Sequence, residues 1–200
     1  MLHSTREGLV KHRAGLIRVV KEYQHSCELK KNDLIMHSQL QLIKNFDHQI
    51  QRLEEEIATL VKTEKVLSNN YQLLQSVHGV GKVVALAAII KTGNFTRFIR
   101  ARKFACYSGI APFENSSGTS IRGKTRVSHL ADKQMKSLLD LAAKSAIQCD
   151  KELREYYLRR TAAGKSKMST MNIVRNKILY RMFAVIKRQT PFIENYLQIA

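Results

Sequence analysis

The stretch VHGVGKVVALAAII, residues 77–90, places two closely spaced glycines directly before a run of small and branched apolar residues. Gly79 and Gly81 allow the backbone to turn sharply. Lys82 then begins a segment rich in alanine, which favours helix, and the apolar residues Leu73, Leu74 and Val77 precede the glycines. The stretch therefore predicts two helices joined by a tight glycine turn.

This glycine turn fits the helix-hairpin-helix pattern that many proteins use to bind DNA. Two glycines let the backbone approach a phosphate closely, and the first turn of the following helix offers free N–H donors. Lys82 opposes the helix dipole there, which favours an anionic ligand. We predict that Gly79, Gly81 and Lys82 bind a nucleic-acid backbone. A plain corner between two helices, with no ligand, is the alternative.

Upstream of the glycine turn, the composition favours long helices, because glycine is absent between Gly15 and Gly79 and proline is absent before Pro112. An amphipathic segment over residues 9–27 predicts one helix. A second carries apolar residues at alternating spacings of three and four, the seam of a coiled coil: Ile43, Phe46, Ile50, Leu53, Ile57 and Leu60. The seam closes either within one chain, as a helical hairpin, or by self-association, and we favour a homo-oligomer.

The composition changes from acid-rich heptads to an apolar segment near residues 68–70. We therefore predict two domains, a helical coiled-coil arm over residues 1–68 and a second domain over residues 69–200. The predicted fold class is all-α: the arm, then a helical domain with the helix-hairpin-helix-like element and one short β-hairpin. Ser169 or Thr170 is expected to cap the last helix.

Downstream, the segment APFENSSGTSIRGKTR, residues 111–126, joins a hydroxyl-rich turn to alternating basic residues. Its Asn-Ser-Ser-Gly composition is typical of a tight turn. A short hairpin turning near residues 122–123 would place Arg122, Lys124 and Arg126 on one face, where they would hold a phosphodiester. Such cations also stabilise the charge that develops when a serine attacks phosphorus. A solvated polar loop is the alternative.

The net charge of +18, from 34 lysines and arginines against 16 acids, makes nucleic acid the leading partner class. The last third contributes many of these cations, and we predict that they bind a DNA or RNA backbone: Lys151, Arg154, Arg159, Arg160, Lys165, Lys167, Arg175, Lys177, Arg181, Lys187 and Arg188. The longest apolar run, residues 83–90, is too short to span a bilayer, so no membrane role is expected. Cys27, Cys106 and Cys149 match neither a disulfide framework nor a zinc pattern, and we predict reduced thiols in a cytoplasmic protein.

Five pieces of this sequence, in this order, resemble the C-terminal half of a family of insertion-sequence transposases. They are the glycine turn with its alanine-rich helix, Phe98 with Ala101 and Arg102, the run YSGIAP at 107–112, Ser117 with Gly118, and IRGK at 121–124. That family joins a RuvC-like N-terminal domain to a serine-bearing transposase domain and uses a bridge RNA as guide. The resemblance covers about residues 69 to 160 and extends over the arm.

The resemblance implies that the serine immediately before glycine, Ser117, is the nucleophile, with Ser116 its nearest rival. It implies attack on a DNA phosphate, a covalent phosphoserine link to the broken strand, and both DNA and a guide RNA as partners. The RuvC-like domain, with four metal-binding carboxylates, is expected before the arm, whereas this sequence begins at the arm. The acids of the arm lie in heptads rather than strands, so we predict no metal site in this chain and expect a divalent metal only with that domain.

A second hypothesis is a non-catalytic nucleic-acid-binding remnant or regulator that pairs with a full-length transposase through the arm. Other candidate residues have simpler interpretations. His129 is the only histidine near the serine turn and is a candidate proton acceptor, whereas His78 is interpreted as a turn residue. Tyr156 and Tyr157 invite comparison with tyrosine recombinases, but adjacent aromatics on an amphipathic helix are more typical of a core or its rim.

Overall fold

The structure, a computed structural model, describes residues 1–26, 33–117, 121–128 and 130–194, with the backbone alone for 114–117 and 121–126. The chain divides into two compact units, Met1–Lys65 and Val66–Ala200. Eight helices and two short strands lie in the described ranges, which confirms the all-α fold class. No helix among them is long and apolar enough to cross a membrane.

The first unit consists of two helices, α1 (Leu2–Ser26) and α2 (Leu34–Thr63). Arg6 of α1 forms an ion pair with Glu54 of α2, and Arg13 forms one with Asp47. The later residue on α1, Arg13, pairs with the earlier residue on α2, Asp47, so the two helices run antiparallel. The arm therefore closes within one chain, as a helical hairpin, and its self-association stays a prediction.

The second unit contains the remaining elements. They are α3 (Lys65–Gln75), α4 (Lys82–Thr92), α5 (Ala101–Tyr107), β1 (Phe113–Ser117), β2 (Ile121–Arg126), α6 (Lys133–Cys149), α7 (Lys151–Ala162) and α8 (Lys167–Arg188). The glycine turn joins α3 to α4. The two strands pair antiparallel and lie between α5 and α6 in the chain.

Helix α8 packs against α5, α6 and α7 and supplies much of the core. Its Val174, Ile178 and Leu179 are fully buried, as are Leu139 of α6 and Phe104 of α5. Helix α4 is apolar on most of its surface, and most of its residues are buried in this core. A single core therefore holds both ends of the segment that carries the strands.

Side-chain caps set the starts of two core helices. The carboxylate of Asp132 accepts a hydrogen bond from the N–H of Met135 at 2.8 Å, and that of Asp150 accepts from Leu153 at 2.9 Å. The predicted start of α8 is wrong, since the helix begins at Lys167 with Ser166 in the cap position. Gly164, at φ +74°, lies in the short connection between α7 and α8. Because α8 begins before Ser169 and Thr170, both lie inside the helix, and Thr170 is buried.

Candidate nucleic-acid interface

The serine segment lies in the two-stranded hairpin. Ser117 is the last residue of β1 and pairs with Ile121, while Ser116 pairs with Arg122. The connection over 118–120 lies outside the described residues, as do Gly118 and His129. The predicted turn at residues 122–123 is wrong, because both lie within β2 and Gly123 pairs with Asn115. Ser117 therefore stands at the end of a strand, directly before the connection.

The three cations of the hairpin all lie in β2, but the pairing is not regular along it. Arg126 pairs with Phe113 and Gly123 pairs with Asn115, so one residue of β1 faces two of β2 between them. A bulge of this kind interrupts the alternation of a strand pair. Arg122 precedes the irregular step, Lys124 lies within it and Arg126 follows it, so simple alternation does not place all three cations in one row.

The base of the hairpin is fixed to the helical core at both ends. On the side of β1, the carbonyl of Ile110 accepts hydrogen bonds from the side-chain amides of Asn172, at 2.7 Å, and Asn176, at 3.1 Å. On the side of β2, the N–H of Asp132 donates to the carbonyl of Tyr107 at 2.9 Å. The residues on either side of the hairpin are therefore held in place by α8 and by the start of α6.

Asp132 is the most connected residue at this base. Its carboxylate accepts from Lys91 Nζ at 2.7 Å and from the Tyr107 hydroxyl at 2.9 Å, in addition to capping α6. Burial works to raise the pKa of Asp132, but the Lys91 and Met135 hydrogen bonds outweigh it and the pKa lies below its usual value. Burial and the bond to Asp132 raise the pKa of Tyr107. The cluster is thus a charged carboxylate with a neutral phenol.

Sequence reasoning did not single out this base. A signal was present, because Asp132 directly precedes an amphipathic helix, the position of an N-cap. The two asparagines of α8 gave none, since nothing in their spacing indicates a partner sixty residues earlier.

The two glycines of the turn have different surroundings. Gly79 has φ +84°, and a Cβ built on it would lie 2.3 Å from the carbonyl oxygen of Ala142 in α6. A Cβ on Gly81 would meet nothing within 4 Å, and Lys82 beside it is exposed. Gly79 is therefore glycine for close packing inside the unit, whereas Gly81 and Lys82 present an open backbone at the start of α4.

His78, in the same turn, contacts Asp150 and Phe192. Its Nδ1 lies 3.2 Å from Asp150 Oδ2, and its ring lies edge-on to that of Phe192 at 5.6 Å between centroids. These contacts tie the turn to the start of α7 and to the segment after α8. They agree with the interpretation of His78 as a turn residue.

Three of the basic residues in the last third are engaged inside the unit. Arg175 is buried and paired with Asp140, and Arg181 donates at 2.6 Å to both Asp150 and Glu152. Lys177 lies 3.2 Å from Glu152 and 4.7 Å from the ring centroid of Tyr156. Arg175 and Arg181 therefore stabilise the packing of α8, whereas Lys177 remains partly exposed.

Other cations of the last third remain on the surface. Six are exposed and have no ion-pair partner within the described ranges: Lys151, Arg154, Arg159, Lys165, Lys167 and Lys187. Tyr156 and Tyr157 are half-buried, as expected for the rim of a core. The exposed basic face therefore follows α7, the loop after it and the two ends of α8.

Cysteines and metal-ligating side chains give little further indication of chemistry. Cys106 and Cys149 are free, whereas Cys27 lies outside the described residues. In the part of the chain that the structure describes, no three histidine, cysteine, aspartate or glutamate side chains are grouped so as to hold a metal ion.

Comparison with known proteins finds similarities over the region that holds the glycine turn and the hairpin. Residues 71–158 match the model of the family described as Transposase IS116/IS110/IS902 family. The pilin gene-inverting protein of Moraxella bovis is 25% identical over 151 residues, which cover 75% of this chain and 47% of that protein. An uncharacterized 43.6 kDa protein of insertion element IS110 from Streptomyces coelicolor is 28% identical over 158 residues, covering 79% of this chain and 38% of its own length.

A third relative is described as the transposase for insertion sequence element IS1111A of Coxiella burnetii. It is 32% identical over 74 residues, 37% of this chain and 19% of the relative. The chain spans less than half the length of each of these three curated relatives.

Proposed function

We propose that this chain is the C-terminal part of a serine-dependent transposase or recombinase of the IS116/IS110/IS902 type, and that it binds DNA. The carrying observation is that the family match over residues 71–158 contains both the glycine turn and the serine hairpin, in one folded unit. The similarity to a gene-inverting protein and to a transposase supports a DNA-rearranging activity.

In this proposal Ser117 is the nucleophile. Its hydroxyl oxygen attacks a DNA phosphorus and loses its proton, the bond from phosphorus to one sugar oxygen breaks, and that oxygen takes up a proton and leaves as a hydroxyl, so no net proton is gained or lost. One phosphodiester replaces another, so the reaction consumes no external energy and runs backwards when a sugar hydroxyl attacks the phosphoserine. Arg122, Lys124 and Arg126 are proposed to stabilise the charge on the phosphate oxygens.

The base of the hairpin supports this assignment because a strand-borne nucleophile needs a fixed starting point. Hydrogen bonds from α8 to Ile110 and the contacts of Asp132 hold that point. Positioning of this kind contributes to catalysis by reducing the freedom of the reacting group before reaction. Ser117 lies at the far end of β1 from this point, next to the connection between the strands.

Binding of the DNA backbone is proposed at two further places. Gly81 and Lys82 offer an open helix start, and Gly79 supports them by packing against α6. The exposed cations at the end of α7 and in the following loop offer a second contact. Such contacts do not depend on base identity.

Further partners belong to the family resemblance and are proposed with it. They are a guide RNA, a second copy of the chain joined through the arm, and a RuvC-like domain that brings a divalent metal. The half-buried seam of the arm supports the second copy.

Covalent trapping tests the proposal. Labelled element-end DNA is incubated with the chain, a guide RNA and the RuvC-like domain of a relative supplied in trans, and the mixture is denatured before electrophoresis. We expect a labelled adduct with the wild type and with Ser116→Ala, and none with Ser117→Ala. An adduct of undiminished yield in Ser117→Ala would overturn the assignment of the nucleophile.

A binding assay separates the enzyme from a non-catalytic regulator. Neutralising about six to ten phosphates gives an affinity that falls with salt with a log-log slope of several units. Salt-dependent binding together with an adduct supports the enzyme, whereas the same binding with no adduct from any variant supports the regulator. A salt-insensitive affinity would contradict the proposed backbone contacts.

A further inference from the structure

The loop between α4 and α5, residues 93–100, here called the wedge loop, is distinctive in charge. Neither aspartate nor glutamate occurs between Glu64 and Glu114. Within the same interval, four basic residues fall close together in or directly after the loop: Arg97, Arg100, Arg102 and Lys103. A cluster of one sign with no acid nearby in the sequence attracts phosphate.

The wedge loop is held in a strained backbone conformation. Gly93 ends α4 in the left-handed region, and Asn94 and Phe95 follow at φ +54° and +67°. Such residues cost of order 1–3 kcal/mol each and persist only where neighbours fix them. The amide of Asn70 donates to Asn94 at 2.9 Å, and the N–H of Phe95 donates to the Thr92 hydroxyl at 2.9 Å. Strain fixed in this way is typical of sites that must be preorganised.

Two aromatic side chains anchor the loop to the core. Phe95 lies edge-on to Phe183 of α8 at 4.9 Å between ring centroids. Phe98 packs against Phe104 at 5.2 Å and against Tyr107 at 5.3 Å. Because Phe95 and Phe98 pack against the core, Arg97, Ile99 and Arg100 remain on the surface.

The outward side chains are an aliphatic group between cations. Ile99 is 89% exposed, although the core lies directly beside it. Arg97, Arg100, Arg102 and Lys103 are exposed and have no ion-pair partner among the residues that the structure describes. A single exposed isoleucine is ordinary. Here it stands on a strained, doubly anchored loop and is flanked by arginines on both sides.

We propose that the wedge loop inserts Ile99 between two base pairs of duplex DNA from the minor groove, while Arg97 and Arg100 contact the flanking phosphates. Apolar wedges of this kind partly unstack a base step and bend the duplex by about 20–90°. An aliphatic wedge fits duplex DNA better than RNA, where the minor groove is wide and recognition favours aromatic stacking. The choice of DNA rests on the proposed function, but the geometry of the loop does not.

Bending by the full 200-residue chain tests the wedge. The probe is a DNA duplex rich in TA steps, which unstack easily, with a fluorescent donor and acceptor at its ends. Binding is followed by anisotropy, and bending by energy transfer, at saturating protein. Two matched controls lie away from the loop: Leu141→Ala removes another exposed aliphatic side chain, and Arg52→Ala removes another exposed arginine.

We expect the wild type and both controls to raise energy transfer on binding. Ile99→Ala should lose about half of that rise or more while keeping the salt dependence of the wild type. The double variant Arg97→Ala with Arg100→Ala should bind about tenfold more weakly or worse, with a salt slope smaller by about two units.

Several results would overturn the wedge. They are binding without bending by the wild type, bending by Ile99→Ala equal to that of Leu141→Ala, and a loss of affinity for an RNA hairpin but not for the duplex. None of them removes the serine chemistry, which the trapping experiment decides separately. A wild type that binds no duplex at any salt concentration would overturn both proposals.

Discussion

The arm and the second unit differ in how completely they bury their apolar side chains. On α2 the seam residues Ile43, Phe46 and Ile50 are only half-buried, since two helices share a single line of contact. In the second unit Phe104 and Ile178 are fully buried among several helices. The difference predicts that the second unit is the more stable of the two, whereas the arm keeps partly exposed apolar side chains along its seam.

The largest difference between the two regions should come from removing a phenylalanine in each. Phe104→Ala deletes a fully buried ring and is expected to lower the free energy of unfolding of the second unit by about 3–5 kcal/mol. Phe46→Ala, on the half-buried seam, is expected to cost the arm about 1–2 kcal/mol. Hydrogen exchange followed peptide by peptide measures the opening of each unit separately. Equal losses would show that the arm is as well packed as the core.

The glycine turn offers the next largest effect, within one unit. Gly79→Ala forces a left-handed alanine against the carbonyl of Ala142 and is expected to destabilise the second unit by about 2 kcal/mol or more. Gly81→Ala, which meets nothing, should change the stability by less than about 1 kcal/mol. Urea unfolding with the same hydrogen-exchange readout measures both. A neutral Gly79→Ala would contradict the close packing of the turn on α6.

Acid sensitivity should also separate the two units. Burial tends to raise the pKa of Asp150, but the N–H of Leu153 and the guanidinium of Arg181 outweigh it, so the folded pKa is below the usual value. The stabilisation is therefore present above the unfolded pKa of about 3.9 and is lost as the pH falls through the folded pKa.

The matched variants are Asp150→Asn in the second unit and Asp47→Asn in the arm. Asp150→Asn keeps a capping side chain, lowers the stability at neutral pH by about 1–3 kcal/mol and flattens its dependence on acid pH. Asp47→Asn removes a half-exposed pair with Arg13 and should cost less than about 1 kcal/mol. The free energy of unfolding, measured from neutral to acid pH, distinguishes the two variants. If Asp150→Asn kept the acid dependence of the wild type, Asp150 would not be the source of the acid sensitivity.

The smallest effect on the second unit should come from a charge in the seam of the arm. Ile50→Lys is expected to convert a dimer to a monomer in sedimentation velocity. Because the site belongs to the other unit, the stability of the second unit should stay within about 0.5 kcal/mol of the wild type. A chain that sediments as a monomer before the substitution would contradict self-association through the arm.

Local patterns were sufficient to predict the two helices of the arm and the two helices around the glycine turn, because each signal acts within one or two turns. The predicted glycine turn directly precedes α4, which begins at Lys82. The position of the hairpin turn was not predictable, since a glycine also occurs at an irregular step within a strand, as Gly123 does.

The basic face shows the same limit for charge. Arg175 and Arg181 look like surface cations in the sequence, but they are paired with Asp140 and Asp150, more than thirty residues away. Only the fold brings these charges together. The base of the hairpin was missed for this reason as well, because Asn172 and Asn176 reach Ile110 from the other end of the unit.

Locating the covalent bond to DNA tests the central claim most directly. The trapped adduct is trimmed with nuclease and digested with trypsin, which is expected to release residues 104–122 as one peptide between Lys103 and Arg122. Fragmentation of that peptide by mass spectrometry then identifies the modified residue. The account predicts a nucleotide on Ser117, and a nucleotide on Ser116, on Ser120 or outside this peptide would contradict it.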